Sequence, residues 1–223
     1  PFIHNCRKSS VMENRERVLW GIGSSRALRA HWALIELDLE YSSEPIGSRT
    51  GATKTNAYTI LNPRQKIPVL QDDDLILSES AAIVAYLAER YGKPGHSLIP
   101  ENITDRAHYF EWQSFICMEL DATSLYVLRR HEYLPETYGN APAAVAGAKD
   151  YFTRMIGAAS NAFDDGRPFL LGDAFSGVDI LMSTIIDWAL RYGLAVPTPF
   201  LAYQDRVAAR PSHAAARRAN QSP

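Results

Sequence analysis

Asn62-Pro63-Arg64-Gln65-Lys66-Ile67-Pro68-Val69-Leu70, continued by Gln71-Asp72-Asp73-Asp74-Leu75-Ile76-Leu77-Ser78-Glu79-Ser80, is the stretch on which the reading of the chain turns. Val69-Leu70 and Leu75-Ile76-Leu77 are short apolar runs flanking an acidic cluster, the pattern of an antiparallel hairpin. Beyond Ser80, the residues Ile83, Val84, Leu87 and Tyr91 recur at helical spacing, and Gly92 and Pro94 close that helix. Two features ask for a reason beyond the hairpin. Pro68 opens a strand yet has no N–H to give to a ladder. Ser78-Glu79-Ser80 sits at the mouth of a helix, where free N–H groups and the positive dipole end favour anions. Local physics alone is satisfied by a trans Ile67-Pro68 bond and a capped helix start with an acid in its first turn.

Upstream, Arg17 to Ile22 reads as a strand, broken at Gly23-Ser24-Ser25. Arg26 to Leu37 is rich in good helix formers, with apolar residues on more than one face, so that helix is expected to be buried. Leu39 to Ile46 follows as a second strand, parallel to the first across a right-handed crossover. Lys54 to Leu61 reads either as a short helix or as an irregular segment. Pro1 to Asn14 is polar and aperiodic, and is expected to be a mobile tail.

Downstream, Pro94 to Glu101 is the clearest linker, and everything after it reads helical. Thr104 to Leu128 is one long periodic segment with Tyr109, Trp112, Ile116 and Leu120 in register. Ala143 to Phe163 is a second helix. Ser176-Gly177-Val178-Asp179 matches a capping box, with Phe175 and Ile180 placed as its hydrophobic staple, before a third helix. A last helix over Phe200 to Ala209 precedes an Ala- and Arg-rich tail. The predicted order of strand, helix, strand, helix, strand, strand, helix is that of a thioredoxin-like domain.

The chain of 223 residues has 46% apolar and 22% charged residues, an ordinary globular balance able to build a core. Its formal net charge of −2 gives no bulk reason to expect nucleic acid or an anionic membrane as partner. Cys6 and Cys117 are far apart and in no metal-like spacing, which fits a reduced, cytoplasmic protein without a metal. No run is apolar and long enough to span a bilayer.

Taken together, the strings NPRQKIPVL and LSESAAIVAYLAERYG resemble the glutathione site of cytosolic glutathione transferases. The likeness covers roughly residues 15–210 and is sharpest in the first half. It implies a thioredoxin-like glutathione-binding domain over 15–93, a linker over 94–101 and an all-helical domain over 102–223 that lines the electrophile site. It also implies a homodimer in detoxification, with glutathione as co-substrate and a hydrophobic electrophile as second substrate. In the family a cis X-Pro bond presents the backbone of X to the tripeptide's cysteine, and a Glu-Ser pair holds its γ-glutamyl end. Carried over, these are Ile67, Pro68, Glu79 and Ser80, with Lys66 near the cysteine and glycine parts or merely solvated. Arg49 and Lys54 fall where some families bind the glycine carboxylate.

The reacting group then belongs where the first strand meets the first helix. A free thiol titrates near 8.5, so lowering its pKa by about two units requires roughly 2.7 kcal/mol of preference for the thiolate. One charge-assisted hydrogen bond together with a helix dipole is of that order. Ser24 falls where theta- and phi-like classes, and related bacterial ones, keep their thiolate-stabilising serine; Ser25 is the runner-up. No tyrosine ends the first strand and no cysteine stands at the junction, against the tyrosine- and cysteine-using classes. Other uses of the same thiolate stay open: a glutathione-dependent isomerase, dehalogenase or ether-cleaving enzyme. So does a non-catalytic binding module.

Overall fold

A computed structural model describes residues 16–221; the tail expected over 1–14, and Cys6, lie outside the described residues. Strand β1 (Arg17–Ile22) leads into helix α1 (Ser25–Glu36), then strand β2 (Ser42–Gly47) and helix α2 (Asn56–Leu61). A single 3-10 turn over Ala52–Lys54 precedes α2. Strands β3 (Val69–Asp72) and β4 (Leu75–Ser78) form the hairpin, and α3 (Ser80–Tyr91) closes the first half. The sheet order is β2-β1-β3-β4. β1 pairs parallel with β2 and antiparallel with β3, where Leu19 faces Leu70, and Leu70 in turn faces Leu77 of β4. This is the thioredoxin-like order expected from the sequence, with β2 starting three residues later than Leu39.

The second half is helical: α4 (Ile103–Phe115), a π-helical stretch over Ile116–Leu125, α5 (Tyr126–His131), α6 (Pro135–Tyr138), α7 (Pro142–Ala159), α8 (Gly177–Arg191), α9 (Thr198–Ala208) and α10 (Pro211–Ala219). The periodic segment 104–128 is therefore not one α-helix. The π stretch advances the side chains by more than 3.6 residues per turn, so a face traced from Tyr109 is lost before Tyr126. The Ala- and Arg-rich tail is also a helix. In α10, Ala216 is fully buried, and the helix packs on α1. Among the described residues no helix is long and apolar enough to cross a membrane.

Helix α1 is the centre of the molecule. Ala27, Leu28, Ala30, Trp32, Ala33 and Leu34 are all buried, against α3, α8 and α10. Trp32 keeps one polar contact, donating its Nε1–H to Ser212 Oγ at 3.1 Å. The ring of His213 lies 4.7 Å from that of Trp32. Burying a side chain of this size gives several times the roughly 1 kcal/mol of a hydrogen bond, so packing adds more to α1 than its good helix formers supply alone.

The two halves are joined closely at the start of α8. Ser176 is its N-cap, and the capping box with Asp179 is formed. Asp179 accepts from Ser176 N and Oγ, both at 2.8 Å, and from the Tyr203 hydroxyl at 2.9 Å. Gly177 donates its N–H to Leu98 O at 2.7 Å, and a Cβ there would come within 2.5 Å of the Tyr109 hydroxyl and 2.6 Å of Val84 Cγ1. Only a residue without a side chain lets α8 approach α3 and α4 so closely.

Candidate active site

The strand-to-helix turn at Gly21 to Ser25 is shaped by backbone needs. Gly21 has φ +125°, and a Cβ on it would lie 2.7 Å from Ile67 Cβ. The end of β1 and the loop before β3 thus touch through a position where only glycine fits. Ser24 is the N-cap of α1, with extended φ −134° and ψ 154°, and its Oγ accepts from Ala27 N at 3.0 Å. An oxygen that accepts still carries its own proton, which is free to turn toward the cleft. Of the two serines at the junction, it is Ser24 that caps the helix. Ser25 opens α1 itself, and its Oγ accepts from Arg191 Nη2 at 3.0 Å. Asn220, just after α10, tightens the same turn. Gly23 N donates to Asn220 O at 2.8 Å, and Asn220 Nδ2 donates to Ser24 O at 3.2 Å.

The loop before β3 is organised by Asn62. Its Nδ2 donates to Lys66 O at 2.8 Å, and its Oδ1 accepts from Arg64 N at 3.1 Å. The Tyr58 hydroxyl also donates to Lys66 O, at 2.7 Å, and burial pushes that phenol up to about 12. The Ile67-Pro68 peptide is cis, as the resemblance implied. Pro68 is buried, whereas Ile67 is half-buried with its backbone N–H and C=O unpaired among the described residues. An unpaired backbone edge at a cleft is a ready partner for another peptide backbone.

At the head of α3 the structure departs from expectation. Glu79 is not in the first turn but at the N-cap, with φ +72° and ψ 111°. A glutamate in that region carries backbone strain of order 1–3 kcal/mol. Its carboxylate is exposed and 3.3 Å from Arg64 Nη1; Arg64 also donates to Ser78 Oγ. Ser80 faces inward, its Oγ accepting from Arg29 Nη1 at 3.3 Å. Arg29, only 1% exposed, also donates to Thr184 Oγ1 at 2.8 Å and Asp121 Oδ2 at 3.1 Å. Asp121, in the π stretch, holds Arg26 too, at 2.5 Å. Burial opposes the charge on Arg26, but Asp121 outweighs it and raises the guanidinium pKa. This buried network of Arg29, Asp121, Thr184 and Ser80 ties the two halves together, and sequence reading missed it.

A cleft of about 1070 Å³ opens between the halves. Its walls include Ser24, Ser25, Lys66 and Ile67, with Arg49 and Lys54 at one side. Pro68, Glu79 and Ser80 are not on its walls: Pro68 and Ser80 are buried, and Arg64 pairs with Glu79 beside it. The aromatics of α4, Tyr109, Trp112 and Phe115, do not line the cleft. Tyr109 is core, and the other two pack against that core. The cleft aromatics are instead Tyr126, Tyr138, Trp188 and Tyr192. They lie beyond the π stretch, where periodicity from α4 no longer points. Among the described residues no group of three or more His, Cys, Asp or Glu could hold a metal ion.

Residues 17–89 match the family model described as Glutathione S-transferase, N-terminal domain. Glutathione S-transferase 2 of Anopheles gambiae is 30% identical over 159 residues, 71% of either chain. Glutathione S-transferase theta-1 of Bos taurus is 28% identical over 148 residues, 66% of this chain and 61% of its own. Among solved structures, the theta-class glutathione S-transferase of Xanthomonas axonopodis pv. citri with glutathione bound superposes with a TM-score of 0.76. It is 28% identical, over 90% of this chain and 96% of its own.

Proposed function

The chain belongs to the glutathione S-transferase family, and we propose that it is a serine-type glutathione transferase, with Ser24 donating to the glutathione thiolate. One observation carries this reading: the Ser24 hydroxyl, at the N-terminus of α1, shares a cleft wall with the unpaired backbone of Ile67. The tripeptide's cysteine backbone pairs with Ile67, which brings its sulfur to the head of α1. There the Ser24 proton and the helix N–H groups stabilise the charge as it forms, electrostatic catalysis without a covalent enzyme intermediate. Glu79 and the α3 start receive the γ-glutamyl end once Arg64 swings aside. Lys66, Arg49 and Lys54 face the glycine carboxylate. Residues 15–93 are the glutathione-binding domain, and 102–223 line the electrophile side. A cytoplasmic homodimer acting in detoxification fits this chemistry.

The test is a thiolate absorbance titration of bound glutathione, after retention on glutathione resin and elution by free glutathione. Ser24→Ala is expected to return the thiol pKa toward 8.5 and to cost about 1 kcal/mol of stability through the lost cap. Ser25→Ala is expected to leave the titration in place. The reverse pattern assigns the role to Ser25; no shift in either variant refutes the serine mechanism.

A further inference from the structure

The net charge of the chain is −2, yet its cleft walls are strongly basic. They carry eight Arg and Lys residues and a single acid, Asp187. Three of the cations are already paired: Arg26 with Asp121, Arg64 with Glu79, and Arg217 with Asp187. The other five, Arg49, Lys54, Lys66, Arg129 and Arg191, have no acidic partner among the described residues.

Glutathione as the thiolate has two carboxylates, one ammonium and one sulfur anion, so it offsets two of these five charges. Arg49, Lys54 and Lys66 belong to the thioredoxin-like wall. Arg129 of α5 and Arg191 of α8 lie across the cleft, on the wall that also carries Tyr126, Tyr138, Trp188 and Tyr192. Arg191 reaches Ser25 at 3.0 Å, so its charge stands beside the head of α1. The Arg129 guanidinium lies 5.4 Å from the centre of the Tyr126 ring, and that of Arg26 4.5 Å from it.

We propose that the second substrate is an aromatic electrophile bearing a carboxylate or a similar anionic group, bound by Arg129 and Arg191 over the cleft aromatics. This rests on the glutathione transferase reading above. A neutral ring seated there would strip water from two guanidiniums and return only a cation–π contact, without the charge partner that offsets desolvation. An anionic ring gains both the stacking surface and the charge partner. The Tyr126 phenol responds to the same field: burial acts to raise its pKa, but Lys66, Arg26, Arg129 and Arg130 outweigh burial and lower it. When that electrophile is a benzylic halide, the thiolate lone pair forms the carbon–sulfur bond as the carbon–halogen bond breaks and its electron pair leaves with the halide. The carboxylate and both guanidiniums keep their protonation states.

The experiment compares two conjugates differing by one charge, S-(4-carboxybenzyl)glutathione and its benzoate methyl ester, titrated calorimetrically into the wild-type protein. The acid is expected to bind at least about tenfold tighter, a ratio that shrinks as salt rises. In the R129Q/R191Q double variant the ratio is expected to fall to near one. Should the double variant not fold, Arg129→Gln and Arg191→Gln singly are each expected to lower the ratio severalfold. An ester bound as tightly as the acid, or a ratio that the substitutions do not move, overturns the inference alone. If neither conjugate nor glutathione itself binds, the transferase reading falls and takes the inference with it.

Discussion

On the thioredoxin-like wall of the cleft, the decisive contacts are short in sequence: Asn62 fixes the Lys66 carbonyl four residues away, and Ser24 caps α1 three residues on. On the helical wall they are long. Arg191 meets Ser25 across 166 residues, and Asp121 meets Arg29 across 92. The first wall is backbone conformation held mainly by local hydrogen bonds, with Asn220 adding two distant ones to the Ser24 turn. The second is side chains brought together only when α1, the π stretch and α8 are packed. The difference teaches where each wall is fragile. Local turns tolerate side-chain loss beside them, whereas the buried charges have no substitute partner.

The largest effect should come from the join between the walls. Asp121→Ala leaves Arg29 buried and unpaired, and removing one partner of a buried pair costs about 3–5 kcal/mol. Denaturant unfolding should register that loss, with Asp121→Asn falling in between because it retains an acceptor. A loss below about 1 kcal/mol for Asp121→Ala would mean that the halves dock by apolar contact alone, and the contrast between the walls would fail.

A middle-sized effect separates fold from function at Glu79. Glu79→Gln should weaken glutathione binding by about 1.5–3 kcal/mol, the worth of a charged hydrogen bond, with stability unchanged. Glu79→Gly should weaken binding similarly yet raise stability by about 1 kcal/mol, because glycine relieves the positive φ. Calorimetric binding beside thermal unfolding reads both. A glycine variant that binds normally and melts lower would show Glu79 to be structural.

The smallest effect lies beneath the Gly21 turn. His31 Nε2 is 3.1 Å from Gly21 O and Nδ1 is 2.7 Å from the Tyr41 hydroxyl. Since a carbonyl only accepts, Nε2 carries the proton and Nδ1 accepts from Tyr41. Burial lowers the His31 pKa below its ordinary 6.5, against the bond to Gly21. The unfolded chain therefore binds the extra proton first, so this contribution is full above about pH 6.5 and is lost as pH falls below it. His213 is lowered by burial in the same sense. His31→Gln should flatten the acid side of the stability curve without abolishing it. An unchanged slope would place the whole dependence on His213 and the carboxylates.

Sequence by itself determined the hairpin at Val69 to Ser78, the helix from Ser80 to Tyr91, a helix start at the Gly23-Ser24-Ser25 break to within a residue, and the capping box at Ser176. These features act within one turn of chain: alternating apolar residues, a cap, a glycine stop. They are written where they operate. Tertiary structure alone decided that residues 211–219 form a helix closing on α1, that the segment after Phe115 winds as a π-helix, and that Glu79 caps with a positive φ. It also decided which aromatics face the cleft and that Arg191 stands at Ser25. In each case the stabilising partner lies on another element, as Trp32 does for Ser212 and Arg29 for Asp121. The energy that selects the conformation exists only after that element has packed, and no window of local sequence contains it.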